Sequence, residues 1–224
     1  MLRTGFKIIL LFITVSFFSG DGDTKPVTGR ASYYGTEFHG RKTANGEIYN
    51  KYLFTAAHRK LPFGTYVHVL NLKTGLSITV KINDRGPFNY SRIIDLSEAA
   101  ARRIGSYKHG LTMVEIQPVR MIRHTPEIDS IFNCNDVLDC LGNPESLGKL
   151  SLSLYRTSDL IHMIYIANEL YLHEDVDKVL IVGRGEGKKR MYHLVISDFE
   201  NKTAMVEAKD YYERKGFMQV DILR

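Results

Sequence analysis

The sequence predicts a closed all-β barrel with one short helix, followed by a small α/β domain. Residues 29–119 hold many short strand-like runs separated by Gly, Pro and Asn turns. Residues 149–224 alternate between strand-like and helical patterns. Many short strands favour a closed barrel, because closure leaves no strand edge exposed. A content of 44% hydrophobic and 25% charged residues is typical of a globular protein.

The first 22 residues predict an export signal. Arg3 and Lys7 form a basic segment before an apolar run over residues 8–18, and small residues follow the run. That run is shorter than the ~20 apolar residues that a membrane span requires. A buried strand or an uncleaved anchor is the alternative, and no Cys stands near the run to carry a lipid. We expect an exported protein of the periplasm or cell envelope.

The barrel elements follow in order along residues 29–119. The segment NLKTGLSITV predicts a hairpin, because two alternating runs flank a Gly-containing turn. The segment DLSEAAARRIG, residues 95–105, predicts a helix with a polar start and a terminating Gly105. Strands are predicted at residues 30–38, 66–72, 76–83, 92–95 and 113–119.

The basic charge of the chain belongs to the barrel segment. Residues 29–119 contain 13 Lys and Arg against 6 Asp and Glu, a net charge of +7. Such an excess favours an anionic polymer, although a solvated basic surface explains it equally well. Nucleic acid is excluded as a partner by the expected export.

Residues 120–148 predict a linker or irregular extension, because Pro, Gly, Asp and Asn recur there. Cys134 and Cys140 are the only two cysteines. In an exported chain they could close a small disulfide loop. Metal binding would need two further ligands, and the segment offers only carboxylates and an amide.

The C-terminal segment, residues 149–224, has the order β-α-β-β-α-β of a ferredoxin-like domain. Strand, helix and strand occur twice in succession, so the segment has a weak internal repeat. The predicted strands are residues 149–156, 178–183, 191–199 and 219–223, and the predicted helices are residues 158–174 and 202–217.

Asp84 and Asp95 are the leading candidates for a catalytic carboxyl group. Asp84 follows an apolar strand and precedes Arg-Gly-Pro, a turn that could hold a carboxyl at a barrel rim. Burial there would favour a proton donor, although an aspartate that only binds backbone amides in a turn is an alternative. Asp95 begins Asp-Leu-Ser-Glu, which favours a helix cap through the amide near Glu98, with a site-lining acid as a second role.

His58 follows two alanines and precedes RKLPFGT. It could steer or share a proton with Asp84, or it could be a hydrogen-bonded structural histidine. A metal site with His39 has no supporting ligand spacing, so we expect no metal and no cofactor.

The segments ASYYG, FHGRKTANGE, TAAHRKLPFGT, INDRGPF and IIDLS stand in the order of a known family. Together they resemble rare lipoprotein A (RlpA), a cell-wall glycan-cleaving family with a double-psi β-barrel. The resemblance implies an endolytic lytic transglycosylase that acts on peptidoglycan, preferably on peptide-stripped strands. It also implies that Asp84 and His58 are catalytic.

The double-psi barrel is also similar to that of expansins, which leaves a non-catalytic wall-binding or wall-loosening protein as the alternative function. Hydrolysis by water, with Asp95 as the partner acid, is a third interpretation. The C-terminal segment resembles a sporulation-related repeat (SPOR) domain, which implies binding to denuded septal glycan and a role in cell division. The usual Gly-x-Phe of such strands appears here only as SDF, residues 197–199.

Several further residues are candidates for substrate binding near the proposed acid. Aromatic side chains could stack on sugar rings, and the exposed Asn-Gly turn could bind sugar hydroxyls, although core packing is an alternative for any one aromatic ring. These candidates are Tyr33, Tyr34, Phe38, Asn45, Gly46, Arg85 and Phe88.

Overall fold

The computed structural model describes residues 25–119, 137–139, 144–173, 178–185 and 189–223. The predicted signal segment, most of the predicted linker and both cysteines lie outside these residues. Within them, no helix is long and apolar enough to cross a membrane. The chain divides into two compact units, which we call the barrel unit and the α/β unit, and the barrel unit includes the segment Tyr212–Met218.

Six strands close the barrel in the order β1-β5-β2-β4-β3-β6. The pairs β1–β5 and β2–β4 are parallel, and the other four pairs are antiparallel. This arrangement confirms the predicted all-β double-psi barrel. The strands are β1 (Val27–Tyr33), β2 (Thr55–Ala57), β3 (Tyr66–Asn71), β4 (Ser77–Asp84), β5 (Arg92–Leu96) and β6 (Thr112–Pro118).

Apolar side chains at alternate strand positions fill the barrel. In β4 the period-2 pattern places Ile78, Val80 and Ile82 inside, each at most 1% exposed. The β3–β4 hairpin forms as predicted, with Val67 paired to Val80. Strand β2 was not predicted, because three residues are too few to show a period.

The barrel helix α1 is shorter than predicted and covers Glu98–Arg103. Its N-cap is Ser97, whose Oγ accepts a hydrogen bond from the Ala100 amide at 3.2 Å. The predicted start at Asp95 is therefore wrong, because residues 95 and 96 still belong to β5. The predicted strand over residues 30–38 ends at Tyr33, and a short 3-10 helix (Thr36–Phe38) follows it.

The α/β unit has the predicted β-α-β-β-α-β order, and its sheet order β11-β8-β10-β9 is that of a ferredoxin-like fold. An additional strand, β7, pairs with β9 at the edge; it lies inside the segment predicted to be a linker. The elements are β7 (Val137–Asp139), β8 (Ser151–Thr157), α2 (Leu160–His173), β9 (Val179–Arg184), β10 (Met191–Ser197), α3 (Lys202–Arg214) and β11 (Asp221–Leu223).

One face of the α/β sheet carries the apolar cluster Leu180, Val182, Val195 and Leu223. Strand alternation places Tyr155 on the opposite face, where its ring meets His162 of α2 at 6.2 Å. The face with the cluster is therefore the one turned away from α2.

Candidate active site

Asp84 is the last residue of β4, at the end of the parallel β2–β4 pair. Ala57 of β2 is its register partner, and the His58 amide donates to the Asp84 carbonyl oxygen at 3.2 Å. Parallel strands end at the same edge of a sheet, so the two residues predicted to be catalytic are neighbours at this edge. Their separation of 26 positions in sequence is closed by the strand pairing.

Three donors hold the Asp84 carboxylate, which is half-buried. The Ala44 and Arg85 amides both donate to Oδ1, each at 2.8 Å. The Tyr34 hydroxyl donates to Oδ2, also at 2.8 Å. Both lone pairs of Oδ1 are thus engaged, whereas Oδ2 keeps one lone pair for a proton or a substrate.

Tyr34 is fixed at the end of β1 and reaches Asp84 through its hydroxyl. Its amide donates to the Leu96 carbonyl at 3.0 Å, and its ring packs on Tyr49 at 4.9 Å between centroids. Burial raises the pKa of Tyr34, and the hydrogen bond and charge of Asp84 and the charge of Asp95 raise it further. The phenol therefore keeps its proton and is a donor, a role that sequence reasoning missed when it assigned Tyr34 to sugar stacking.

The imidazole of His58 is held by the turn that follows it. Its Nδ1 accepts from the Leu61 amide at 2.9 Å and from the Lys60 amide at 3.2 Å. Nε2 therefore carries the proton of the neutral ring. Burial lowers the pKa of His58, and the positive charges of Arg59, Arg85 and Lys60 lower it further. At neutral pH, His58 is thus a neutral donor through Nε2.

Asp95 lies within β5, and its carboxylate is bound by two side chains. The Ser32 hydroxyl donates to Oδ1, and the Arg92 guanidinium donates to both oxygens at 3.0 and 3.3 Å. The predicted helix-capping role is wrong because Ser97 performs it. A Cβ added at Gly86 would lie 3.9 Å from Oδ2 of Asp95, so this carboxylate borders the turn after Asp84.

Arg85, a predicted substrate-binding residue, is turned toward the loop after β2. Its Nη1 donates to the Leu61 carbonyl at 3.0 Å and to the His58 carbonyl at 3.3 Å. Its guanidinium also lies 3.5 Å from the centroid of the Phe63 ring. Arg85 thereby links the loop of His58 to the turn of Asp84.

The other predicted aromatic residues are placed differently from one another. The Tyr33 ring packs on the Tyr107 ring, with 4.9 Å between centroids. This contact does not involve Asp84, whose tyrosine partner is Tyr34. The Phe38 ring contacts the Tyr34 ring in a tilted arrangement at 5.8 Å between centroids, and Phe38 is 39% exposed. Phe88 is 86% exposed, in the loop between the turn of Asp84 and β5. The structure thus places Phe38 next to Tyr34, which binds Asp84, whereas Tyr33 contacts a different residue.

Asn45 and Gly46 form the predicted turn. The turn orients the amide of the preceding residue, Ala44, which donates to Asp84. Asn45 Oδ1 accepts from the Thr43 hydroxyl at 2.7 Å and from the Glu47 amide at 3.0 Å. Gly46 has φ +92°, which favours glycine. The turn therefore presents the Ala44 amide to Asp84. Sequence reasoning missed Ala44, Ser32 and Arg92, because a backbone donor has no residue signature and the two side chains act only through Asp95.

We call Tyr34, His58, Asp84 and Asp95 the Asp84 site. Four segments far apart in sequence supply these residues, and the barrel closes them into one constellation. Among the residues that the structure describes, no group of three His, Cys, Asp or Glu could hold a metal ion. The site places the Asp84 carboxyl group beside two neutral donors, the Tyr34 hydroxyl and the His58 imidazole.

The sequence of the barrel matches a known family of domains. Residues 26–116 match the family model described as "Lytic transglycolase". Over these residues the barrel is similar to the RlpA family, and the match covers less than half of the chain.

The barrel is similar to curated RlpA proteins, which are longer than the matched region. A probable endolytic peptidoglycan transglycosylase RlpA of Synechocystis sp. is 56% identical over 92 residues, which are 41% of this chain and 29% of that protein. The endolytic peptidoglycan transglycosylase RlpA of Neisseria meningitidis serogroup A is 52% identical over 92 residues, 41% of this chain and 38% of that protein. The chain thus spans about three to four tenths of the length of these relatives.

Among solved structures, an apo expansin of Clavibacter michiganensis is 14% identical with a TM-score of 0.37, covering 79% of this chain and 81% of that one.

Proposed function

We propose that this protein is an endolytic peptidoglycan transglycosylase of the cell envelope. It cleaves the bond between N-acetylmuramic acid and N-acetylglucosamine and leaves a 1,6-anhydro end. The observation that carries the proposal is the Asp84 carboxylate, held by three donors with one lone pair of Oδ2 left open. The names of the similar RlpA proteins supply the substrate class.

In the first step, Asp84 acts as the general acid through Oδ2. Both lone pairs of Oδ1 are occupied by amides, so the proton to be transferred resides on Oδ2. It passes to the glycosidic oxygen while the bond from that oxygen to C1 of muramic acid breaks. The sugar develops oxocarbenium character, as in other glycosidic cleavages. The Asp84 carboxylate formed in this step is stabilised by the Tyr34 hydroxyl.

In the second step, the C6 hydroxyl of the same muramic acid attacks C1. A C–O bond forms, and the hydroxyl proton returns to Asp84, which restores the acid. No water is consumed, and a single carboxyl group serves both steps. His58 donates from Nε2 to a sugar oxygen and orients the C6 hydroxyl, since its Nδ1 is engaged by backbone amides.

Incubation of purified, peptide-free glycan strands with the protein tests this proposal. Mass spectrometry of the products should show 1,6-anhydro ends, and these should be lost in Asp84→Asn. Free reducing ends would instead indicate hydrolysis. Binding to glycan without any new ends, beside an active control enzyme, would refute the enzyme and support a wall-binding protein.

We also infer that the α/β unit binds acidic glycan through the sheet face turned away from α2. A depression of about 290 Å³ lies there, and the polar and charged residues that line it are Ser153, Arg156, Arg184, His193 and Asp221. The Arg156–Asp221 pair is long, 3.9 Å, and more than half exposed on both sides, so it yields readily to a ligand carboxylate. Peptide-stripped muramic acid carries such a carboxylate, which suits a role at septal glycan during cell division.

Pull-down of the full chain with peptide-stripped and intact peptidoglycan tests the second proposal. Replacement of both arginines, R156Q with R184Q, should reduce binding to stripped glycan, whereas K202Q at the start of α3 should not. Equal binding by the double variant and K202Q would refute it without touching the proposed cleavage activity. Export to the envelope, which both proposals require, is tested by fractionating cells that produce the protein.

A further inference from the structure

Among the described residues, Tyr34 is the one side chain that donates a hydrogen bond to the carboxylate of Asp84; the other two donors are backbone amides. Its hydroxyl contacts Oδ2, the oxygen that carries the mobile proton in the proposed reaction. The phenol therefore contacts Asp84 both when the acid is protonated and after its proton has been transferred. It can therefore change the relative stability of those two states.

The surroundings of Tyr34 hold the phenol as a donor and fix its position. The ring lies between Tyr49 at 4.9 Å and Phe38 at 5.8 Å, and the amide is anchored on Leu96. The charges of both site carboxylates oppose loss of the phenolic proton. The second carboxylate, Asp95, has its own donors in Ser32 and Arg92. The Tyr34 hydroxyl is thus committed to Asp84.

We propose that Tyr34 is a positioning residue whose hydroxyl selectively stabilises the ionised form of Asp84 after proton transfer. This inference rests on the proposed transglycosylase activity. A hydrogen bond to a carboxylate is stronger than one to a neutral acid. The hydroxyl therefore makes Asp84 a better donor, and it leaves a single lone pair of Oδ2 to face the glycosidic oxygen.

The inference predicts an unusual pH dependence for Tyr34→Phe. Where Asp84 is protonated in both proteins, kcat should fall roughly 10-fold, because the product carboxylate loses a charge-assisted hydrogen bond. The limb of the profile where activity falls as the acid ionises should lie at higher pH in Tyr34→Phe than in the wild type, because the carboxylate has lost a donor. The profiles of variant and wild type should therefore converge at alkaline pH, with KM nearly unchanged. A merely structural role would lower the rate by the same factor at every pH.

A second measurement does not depend on turnover. The ¹³C shift of the Asp84 carboxyl carbon, followed by NMR as a function of pH, should show a higher midpoint in Tyr34→Phe than in the wild type. Tyr107→Phe is the matched control, since it also removes one phenolic hydroxyl from the barrel unit but lies against Tyr33. Its midpoint and its pH–rate profile should equal those of the wild type.

The possible outcomes separate the two claims. A wild type that produces no anhydro ends refutes the proposed function, and the carboxyl titration still decides the role of Tyr34. An unmoved midpoint in Tyr34→Phe overturns the inference, as does a rate loss that is equal across the pH range. Matching thermal unfolding of the wild type and both variants excludes misfolding as the source of either result.

Discussion

The strongest prediction concerns two replacements of Asp84 that should separate catalysis from stability. Asp84→Asn keeps a carbonyl oxygen for the Ala44 and Arg85 amides but has no carboxyl proton to transfer. Asp84→Ala leaves those two amides and the Tyr34 hydroxyl without their acceptor. Both variants should lose activity, and only the alanine variant should lose much stability.

The magnitudes follow from the hydrogen bonds. General acid catalysis contributes about 10²- to 10⁴-fold, so both variants should lose about 3–5 kcal/mol of transition-state stabilisation. A buried donor without a partner costs about 1–3 kcal/mol. The site is half-buried and water reaches part of it, so we take the lower value for each of the three donors. Asp84→Ala should then be destabilised by about 3 kcal/mol, and Asp84→Asn by about 1 kcal/mol or less.

The assay combines anhydro-end formation on peptide-free glycan with urea unfolding of the same preparations. Turnover by Asp84→Asn within tenfold of the wild type would refute the assignment of the acid. Equal destabilisation of the two variants would refute the account of the three donors, whatever the activities.

Three further predictions concern the helix cap, His58 and Asp95. Ser97→Ala should lower the free energy of unfolding by about 1 kcal/mol, because the cap of α1 loses its acceptor; an unchanged urea midpoint would contradict this. The lowered pKa of His58 means that the unfolded chain binds a proton more readily than the folded one. Stability should therefore fall from pH 7 to pH 5, and His58→Gln should lose less over that range in chemical denaturation; an equal or larger loss would be inconsistent with a buried neutral imidazole. Asp95→Asn should keep anhydro ends as its product, with a smaller rate loss than Asp84→Asn, whereas free reducing ends in the wild type that vanish in Asp95→Asn would support the hydrolytic alternative.

The fold could be predicted from the sequence wherever a period was long enough to recognise. The alternation through β3 and β4 predicted the hairpin. In the α/β unit, the two-residue period of strands and the 3.6-residue period of helices follow one another along the sequence. Strand β2 has only three residues, and its partners β4 and β5 lie far away in sequence. Its existence is therefore decided by barrel closure, which no local pattern reports.

The sequence singled out Asp84 and His58, which the structure places side by side, but it did not predict the contacts that hold them. Asp95 and Ser97 are both good helix caps, and only the register of β5 selects Ser97. Tyr33 and Tyr34 are adjacent, and strand geometry turns adjacent side chains in opposite directions. The family resemblance supplied the proposed roles of Asp84 and His58, whereas the donors around them depend on tertiary contacts.

The two amides that bind Oδ1 of Asp84 have a consequence for the tolerance of this site to substitution. Any residue except proline provides a backbone N–H, so the side chain at position 44 can change while the carboxylate stays oriented. Ala44→Ser should be nearly silent, and Ala44→Pro should be severe although both changes are small. Variation among functional sequences should thus be wide at position 44, with proline excluded. Most single substitutions at position 44 therefore leave the hydrogen bond from its amide to Oδ1 of Asp84 intact.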